Sequence, residues 1–174
     1  MPLHCEDVDL KDMINETVAV IEPLIKESNV VLRVVVEEDI PSLWTDRSKL
    51  KQVLLNFLGN AAKFTEKGTI QVLARNVPAN GHVEIAVKDS GSGIKPEDLE
   101  SIFQAFQQAD ISFTKVGSGT GLGLSSARKF AALLGGSVSV DSVYGEGSTF
   151  TMILPHVLPS AEAPHKDRAT VKLA

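Results

Sequence analysis

Residues Lys51 to Lys67 read KQVLLNFLGNAAKFTEK, and the reading of this stretch governs the rest of the chain. Leu50, Val53, Leu54, Phe57, Leu58 and Ala61 recur at helical spacing, so the segment predicts one amphipathic helix with an apolar stripe against a core. Beside that stripe, Gln52, Asn56, Asn60 and Lys63 follow at steps of four, four and three, and their side chains stack on a second face. Asparagine inside a helix competes for local backbone groups, so two of them one turn apart point to a return from elsewhere. A bound phosphate with its metal would supply that return. A solvated polar face is the plain alternative.

The chain has 174 residues, 43% hydrophobic and 22% charged, which suits one globular domain with a substantial core. A net charge of -5 with no basic block argues against nucleic acid or an anionic membrane as the main partner. The single cysteine, Cys5, rules out an intramolecular disulfide, disfavours a cysteine-based zinc site and suits a reducing compartment. No apolar run approaches ~20 residues and the N-terminus lacks a signal pattern. The expected location is cytoplasmic, with a membrane-anchored parent protein left open.

Outward from the central helix, Asp9 caps a first helix whose Leu10, Ile14, Val18, Ile21 and Ile25 share a face. Asn29 to Glu37, rich in β-branched residues, reads as a strand. A short extended piece at Leu43 to Thr45 leads into Asp46, the expected N-cap of the central helix, which should end near Thr65 to Gly68. Strands follow at Thr69 to Val77 and His82 to Asp89, joined through Pro78 to Gly81. Val83, Ile85, Val87 and Asp89 share one face of the second, which places a carboxylate at the end of an apolar row. An ionised group there is costly unless donors meet it. From Pro96 a short helix is expected, with Leu99, Ile102, Phe103 and Phe106 as its apolar side, and Gln107 to Thr120 reads as a mobile loop of the kind that covers ligands. Leu122 to Leu134 reads as a helix, and strands are expected at Ser137 to Ser142 and Ser148 to Leu154. The domain is expected to span 1–155, with 156–174 a flexible tail or linker.

Gly117, Gly119, Gly121 and Gly123 alternate through GSGTGLGL as a helix begins. Exposed N–H groups at a helix N-terminus favour phosphate. A dinucleotide-binding GxGxxG would need glycine at 122 or 124, where leucine stands, and neither a Walker GK[ST] nor the HRD and DFG motifs of protein kinases is present. A plain loop-to-helix turn stays open on this segment alone.

In order, NxxxNAxKF (Asn56 to Phe64), DSGSG (Asp89 to Gly93), FxxFxQxD (Phe103 to Asp110), GTGLGL (Gly119 to Leu124) and GxGSxF (Gly145 to Phe150) resemble the five boxes of sensor histidine kinase ATP-binding domains. The resemblance covers about residues 8 to 155. It implies the Bergerat ATP-binding fold: an α+β two-layer sandwich, a mixed sheet with helices on one face. It also implies ATP and Mg²⁺ as ligands. Asn60 would hold the metal, an amide oxygen suiting a hard cation that keeps most of its waters. Asn56 and Lys63 would be the catalytic pair, touching phosphates or ordered water. Phe64 and Ile94 would line the pocket, and Asp89 would accept from the adenine amino group. Gly91 and Gly93 would let the chain pass close to the base, and Ser148 would place a hydroxyl near it. Gly119, Thr120, Gly121, Leu122, Gly123 and Leu124 would shape the lid hinge and triphosphate site, and Phe106, with Phe103, would anchor the lid.

Departures from the pattern carry information as well. Many members place arginine in the lid where this chain has Gln108; the FxQxD form resembles hybrid kinases, which implies a receiver domain as a downstream partner. The hydrolysing relatives have glutamate where Asn56 stands, and an amide cannot act as a general base. The resemblance therefore implies transfer of phosphate, with a histidine on a separate dimerisation domain as acceptor. None of His4, His82, His156 or His165 is followed by the acidic residue and proline expected of that acceptor. The chain should bind ATP, fail to phosphorylate itself, and be a monomer, since family dimers form through the other domain. A serine kinase of the anti-sigma type and a nucleotide-binding regulatory module without transferase activity stay open as alternatives.

Overall fold

The computed structural model describes residues 2–99, 102 and 121–158, with 121–123 as backbone. Its elements in chain order are β1 (Cys5–Val8), α1 (Leu10–Ile25), β2 (Asn29–Val36), β3 (Leu43–Asp46), α2 (Arg47–Phe64), β4 (Lys67–Val77), β5 (His82–Asp89), the single turn α3 (Pro96–Leu99), α4 (Gly121–Leu133), β6 (Ser137–Val143) and β7 (Gly147–Pro155). Five strands form one mixed sheet in the order β2-β4-β5-β7-β6. β2 and β4 are parallel and the remaining pairs antiparallel. β1 and β3 form a separate antiparallel pair.

α2 starts where the Asp46 carboxylate accepts from the Lys49 N–H at 3.1 Å, and Asp9 caps α1 in the same way through Asp12. Asp46 is 1% exposed, and its pKa reflects that position. Burial would raise it, but the N–H groups of His4 and Lys49 and the Lys49 ammonium outweigh burial and hold it below the ordinary value. A carboxylate lowered in the fold adds stability above its ordinary pKa and loses it as pH falls through the lowered value.

The predicted apolar stripe of α2 is the core. Leu50, Val53, Leu54, Phe57, Leu58 and Ala61 are buried against Ile70, Val72 and Ala74 of β4, Val83, Ile85 and Val87 of β5, and Phe150, Met152 and Leu154 of β7. Phe57 and Phe150 stack with ring centroids 5.4 Å apart. Each fully buried large side chain contributes about 1.5–3 kcal/mol, so this one contact face carries much of the fold. α1 joins through Met13, Ile14, Val18 and Ile21. Its Glu16 meets both Arg47 and Lys51 of α2 at 2.8 and 3.2 Å. On the opposite face of the sheet Val31 and Val35 are exposed and Arg75 pairs with Glu84. The architecture is thus α+β in two layers, with helices on one face.

Three expectations shift. α2 stops at Phe64, with Thr65 already extended, because Lys67 pairs with Asn29 to open β4; the helix does not reach Lys67. The β1–β3 pair was not visible in a segment as polar as CEDV, whose one buried residue is Val8. Contacts with the domain also run past 155: His156 N–H donates to the Gly81 carbonyl, Trp44 N–H to that of His156 and Leu158 N–H to that of Trp44, and Leu158 is buried. Backbone bonds to β3 and to the connection before β5 thus hold residues that composition alone places in a tail. Gln107 to Thr120, Phe103, Phe106 and 159–174 lie outside the described residues.

Gly59 lies inside α2, where an added Cβ meets nothing within 4 Å. Replacing it by alanine should stabilise the domain by up to ~1 kcal/mol, raising Tm by about 2–4 °C in a circular-dichroism melt. A lower Tm would show that this space is needed by another part of the molecule.

Candidate functional site

The second face of α2 ends at a cavity of about 290 Å³, lined by Asn60, Phe64, Gly93, Ile94, Lys95, Asp98, Ile102, Leu124, Tyr144 and Phe150. The floor is made by the core itself, since Phe150 packs on Phe57. The first turn of α4 reaches the same wall through Leu124, which is buried. At the rim the Lys95 ammonium lies 5.5 Å from the Tyr144 ring centroid.

Asn60 is 1% exposed. Its amide nitrogen donates to the Asn56 carbonyl at 2.8 Å, one turn back, which fixes the plane of the amide. Its Oδ1, also buried, accepts no hydrogen bond from the described residues. An unsatisfied buried amide oxygen is costly, and on a cavity wall it suits a hard cation. Gln52 reaches Asn56 Oδ1 at 3.4 Å. Lys63 follows with its ammonium 5.4 Å from the Phe64 ring centroid, and burial pushes its pKa below the ordinary lysine value. The predicted polar face is therefore present in order from Gln52 to Lys63.

Asp89 ends the apolar row of β5 and is 6% exposed. Burial raises its pKa; the N–H groups of Gly91 and Ser148 oppose that rise. The Thr65 hydroxyl, buried and without a partner of regular geometry, adds a weaker donor to the same carboxylate. The Gly91 bond measures 2.9 Å.

The loop after Asp89 is clamped from both sides. Ser92 N–H donates to the Phe64 carbonyl at 3.2 Å and Gly145 N–H to the Ser92 carbonyl at 2.7 Å. Neither glycine of DSGSG has room for a side chain. A Cβ at Gly91 would strike the Phe64 carbonyl and lie 2.8 Å from Thr65 Oγ1. Gly93, at φ +68°, lies against the Val143 carbonyl and 2.9 Å from Tyr144 Cα by the same measure. These glycines thus secure close packing of the loop against α2 and the β6–β7 turn.

Of the sequence-predicted residues, Asn60, Phe64, Gly93, Ile94 and Leu124 line the cavity together. Asp89 and Ser148 instead line a second concavity of about 300 Å³ at the ends of β5, β6 and β7, which shares no lining residue with the first. Asn56 and Lys63 lie along α2 beside Asn60. Gly121, Leu122 and Gly123 form the start of α4, while Phe106, Gly119 and Thr120 lie outside the described residues. Sequence reasoning missed Thr65, Lys95, Asp98, Ser142 and Tyr144 as site residues. Thr65 follows the NxxxNAxKF run directly, which was the available signal; Lys95 and Tyr144 sit in polar turns, Asp98 in the single turn α3 and Ser142 near the end of β6, with no motif to mark them.

Comparisons with known proteins agree with this geometry. Residues 45–158 match the family model described as histidine kinase-, DNA gyrase B-, and HSP90-like ATPase. The chain is 34% identical over 169 residues to the sensor protein GacS of Pseudomonas syringae pv. syringae, covering 95% of this chain and 18% of that protein. It is 34% identical over 158 residues to the hybrid signal transduction histidine kinase B of Dictyostelium discoideum, covering 88% of this chain and 8% of that protein. Among solved structures it resembles full-length ShkA in complex with AMPPNP, with a TM-score of 0.79 and 32% identity over 89% of this chain and 32% of that one. The chain thus spans less than a fifth of the length of these curated relatives.

Because the Asp89 pKa is raised in the fold, its contribution to stability is present below the ordinary carboxylate pKa and lost as pH rises through the raised value. At neutral pH the ionised group is a cost to folding. Asp89→Asn should therefore melt at the same or a higher temperature at pH 7, with the difference shrinking as pH falls towards about 4. A variant that melts well below wild type at pH 7 would mean that the carboxylate is a structural anchor.

Proposed function

Since the chain belongs to the family of histidine kinase-, DNA gyrase B- and HSP90-like ATPases, we propose that it binds ATP with Mg²⁺ and donates the γ-phosphate to a histidine on a separate helical dimerisation domain of the same parent protein. The observation that carries this reading is the buried Asp89 carboxylate, kept with several donors at the end of an apolar strand although burial raises its pKa. A group so placed is explained by a ligand that donates to it, and the exocyclic amine of adenine does so. Gly91 and Gly93 let the loop pack closely enough to present Asp89 and Gly93 to the base, Ile94, Phe64 and Leu124 give it apolar surface, and Ser148 supplies a hydroxyl beside Asp89.

The triphosphate lies along the polar face of α2 in this reading. Asn56 and Lys63 position phosphate oxygens, and Lys63, partly desolvated, is a stronger electrostatic partner than a surface lysine. The orphaned Oδ1 of Asn60 holds Mg²⁺, which when bound neutralises charge on the phosphates. The start of α4, through residues 121–124, offers backbone N–H groups to the same oxygens. An imidazole nitrogen supplied by the acceptor domain bonds to the γ-phosphorus as the bond to the ADP oxygen breaks, and the imidazole proton leaves to solvent. Catalysis here consists of positioning and electrostatics, since Asn56 cannot activate water. The hybrid name of one relative and the FxQxD segment support a receiver domain as the next acceptor in the parent protein.

Calorimetric titration with AMPPNP, with and without Mg²⁺, tests the site. Wild type should bind saturably, and Asp89→Asn should lose about 10- to 100-fold or more in affinity, as expected for one charge-assisted hydrogen bond. With [γ-³²P]ATP the chain alone should stay unlabelled, and label should appear on histidine once the parent's dimerisation domain is added. Label on serine of a separate protein, or none on any supplied helical domain, would replace this reading.

A further inference from the structure

Asp89, Ser148 and Ser142 stand in cross-strand register at the ends of β5, β7 and β6, Asp89 opposite Ser148 and Ser148 opposite Ser142. One level further into the sheet, Val87, Phe150 and Val140 occupy the same row. The apolar core therefore ends in a line of three polar side chains. Ser142 belongs to none of the motifs that mark the nucleotide site, yet its hydroxyl meets three polar groups.

Ser142 Oγ receives the Ile94 N–H at 2.8 Å and lies 2.9 Å from both the Gly147 carbonyl oxygen and Ser148 Oγ. A serine hydroxyl has one proton and two lone pairs. The Gly147 carbonyl can only accept and the Ile94 N–H can only donate. All groups are satisfied in one arrangement: Ser142 donates to Gly147, accepts from Ile94, and accepts from Ser148 with its second lone pair. The reverse arrangement, Ser142 donating to Ser148, leaves the Gly147 carbonyl without that donor. The Ser148 proton is thus committed to Ser142, and what Ser148 can offer a ligand is lone pairs.

We propose that Ser142 is a positioning residue for base selection: by taking the Ser148 proton it makes Ser148 an acceptor beside the Asp89 acceptor, so that the pair reads a two-proton amino group and rejects a carbonyl. This rests on the nucleotide reading given above and deepens it. Adenine carries an amino group at its sixth position, whose two protons satisfy both acceptors. Hypoxanthine carries a carbonyl there, so at that position it meets two oxygens with none of the protons they require, its one donor on that edge being the neighbouring N1–H. Removing the Ser142 hydroxyl frees Ser148 to rotate and donate, which relieves that conflict. Ser142 also ties the Ile94 backbone to the β6–β7 turn, so its loss loosens the floor of the cavity for any base; the change in base preference is the part specific to the proton arrangement.

The test compares Mg²⁺–ATP and Mg²⁺–ITP by calorimetry on the whole chain, with folding checked by circular dichroism. Wild type should prefer ATP. Ser142→Ala should reduce the ATP-to-ITP affinity ratio by about tenfold, the scale of one hydrogen bond. Ser142→Thr, which retains the hydroxyl and suits a strand, should keep the ratio. Ser142→Cys, with its weak donor and acceptor, should act as alanine does and serves if the alanine variant fails to fold. In a Ser148→Ala background, Ser142→Ala should change the ratio no further, since Ser142 acts through Ser148. A wild type that binds ATP selectively while Ser142→Ala loses affinity for both nucleotides equally overturns the inference and leaves the nucleotide site standing. A folded wild type that binds neither nucleotide overturns both.

Discussion

Keeping the Asp89 carboxylate inside the fold requires groups from three distant parts of the chain to meet at one point: the Gly91 N–H just after it, Thr65 at the end of α2, and Ser148 at the start of β7. Desolvation of a charge is a cost of several kcal/mol that only hydrogen bonds and solvent access can offset. That requirement fixes much of the surrounding geometry. The loop after β5 must turn back sharply enough for its own N–H to reach the carboxylate, which brings Gly91 against Phe64 and Gly93 against the β6–β7 turn. The end of α2, the end of β5 and the β6–β7 turn are therefore one packed unit.

α2 couples that unit to the core. Its apolar stripe lies on β4, β5 and β7 and its polar stripe ends at the cavity, so rotation of the helix about its axis would expose one and misplace the other. The stripe is completely buried, with Phe57 stacked on Phe150, and Phe150 is itself a cavity wall. Packing and site geometry are held by the same side chains. A large-to-small change at Phe57 would be felt at the cavity as well as in stability.

The sequence made the core legible because the central helix and β5 each repeat their apolar residues with the period of the element, and both periods survive in the fold. Asp89 was visible for the same reason, as a break in a regular row. What stayed hidden was set by tertiary pairing. β1 has one buried residue in four, so no periodicity can mark it, and it becomes a strand because β3 supplies a partner. His156 to Leu158 are ordered through backbone bonds to Gly81 and Trp44, contacts that leave no trace in composition. Ser142 ends the face of β6 that carries Val138 and Val140, while Ser137 and Ser139 lie on the other face; what singles it out is its place opposite Ser148 and beside Ile94, which only the fold shows. The cavity residues after Leu99 were partly anticipated as an apolar helix side, of which Ile102 is seen buried.

Two aspartates make the difference between structural and functional burial concrete. Asp46 and Asp89 are 1% and 6% exposed, and both accept from two backbone N–H groups, yet their pKa values move in opposite directions. Asp46 caps a helix and has an ammonium beside it, so the fold satisfies its charge and gains stability from it. Among the described residues Asp89 is given donors but no cation, and burial prevails. Selection for stability alone would favour a neutral residue there, because an amide could occupy the space without a charge to desolvate. The carboxylate is justified only if something outside the protein completes its hydrogen bonding. The same reasoning holds for the orphaned Oδ1 of Asn60 on the cavity wall. Two separate costs to folding, one in search of a donor and the other of a cation, are tied to the loop that follows β5: Asp89 opens it, and Asn60 lines the cavity with its Gly93 and Ile94. A single ligand that brings an amino group at one end and phosphates with a metal ion at the other answers both.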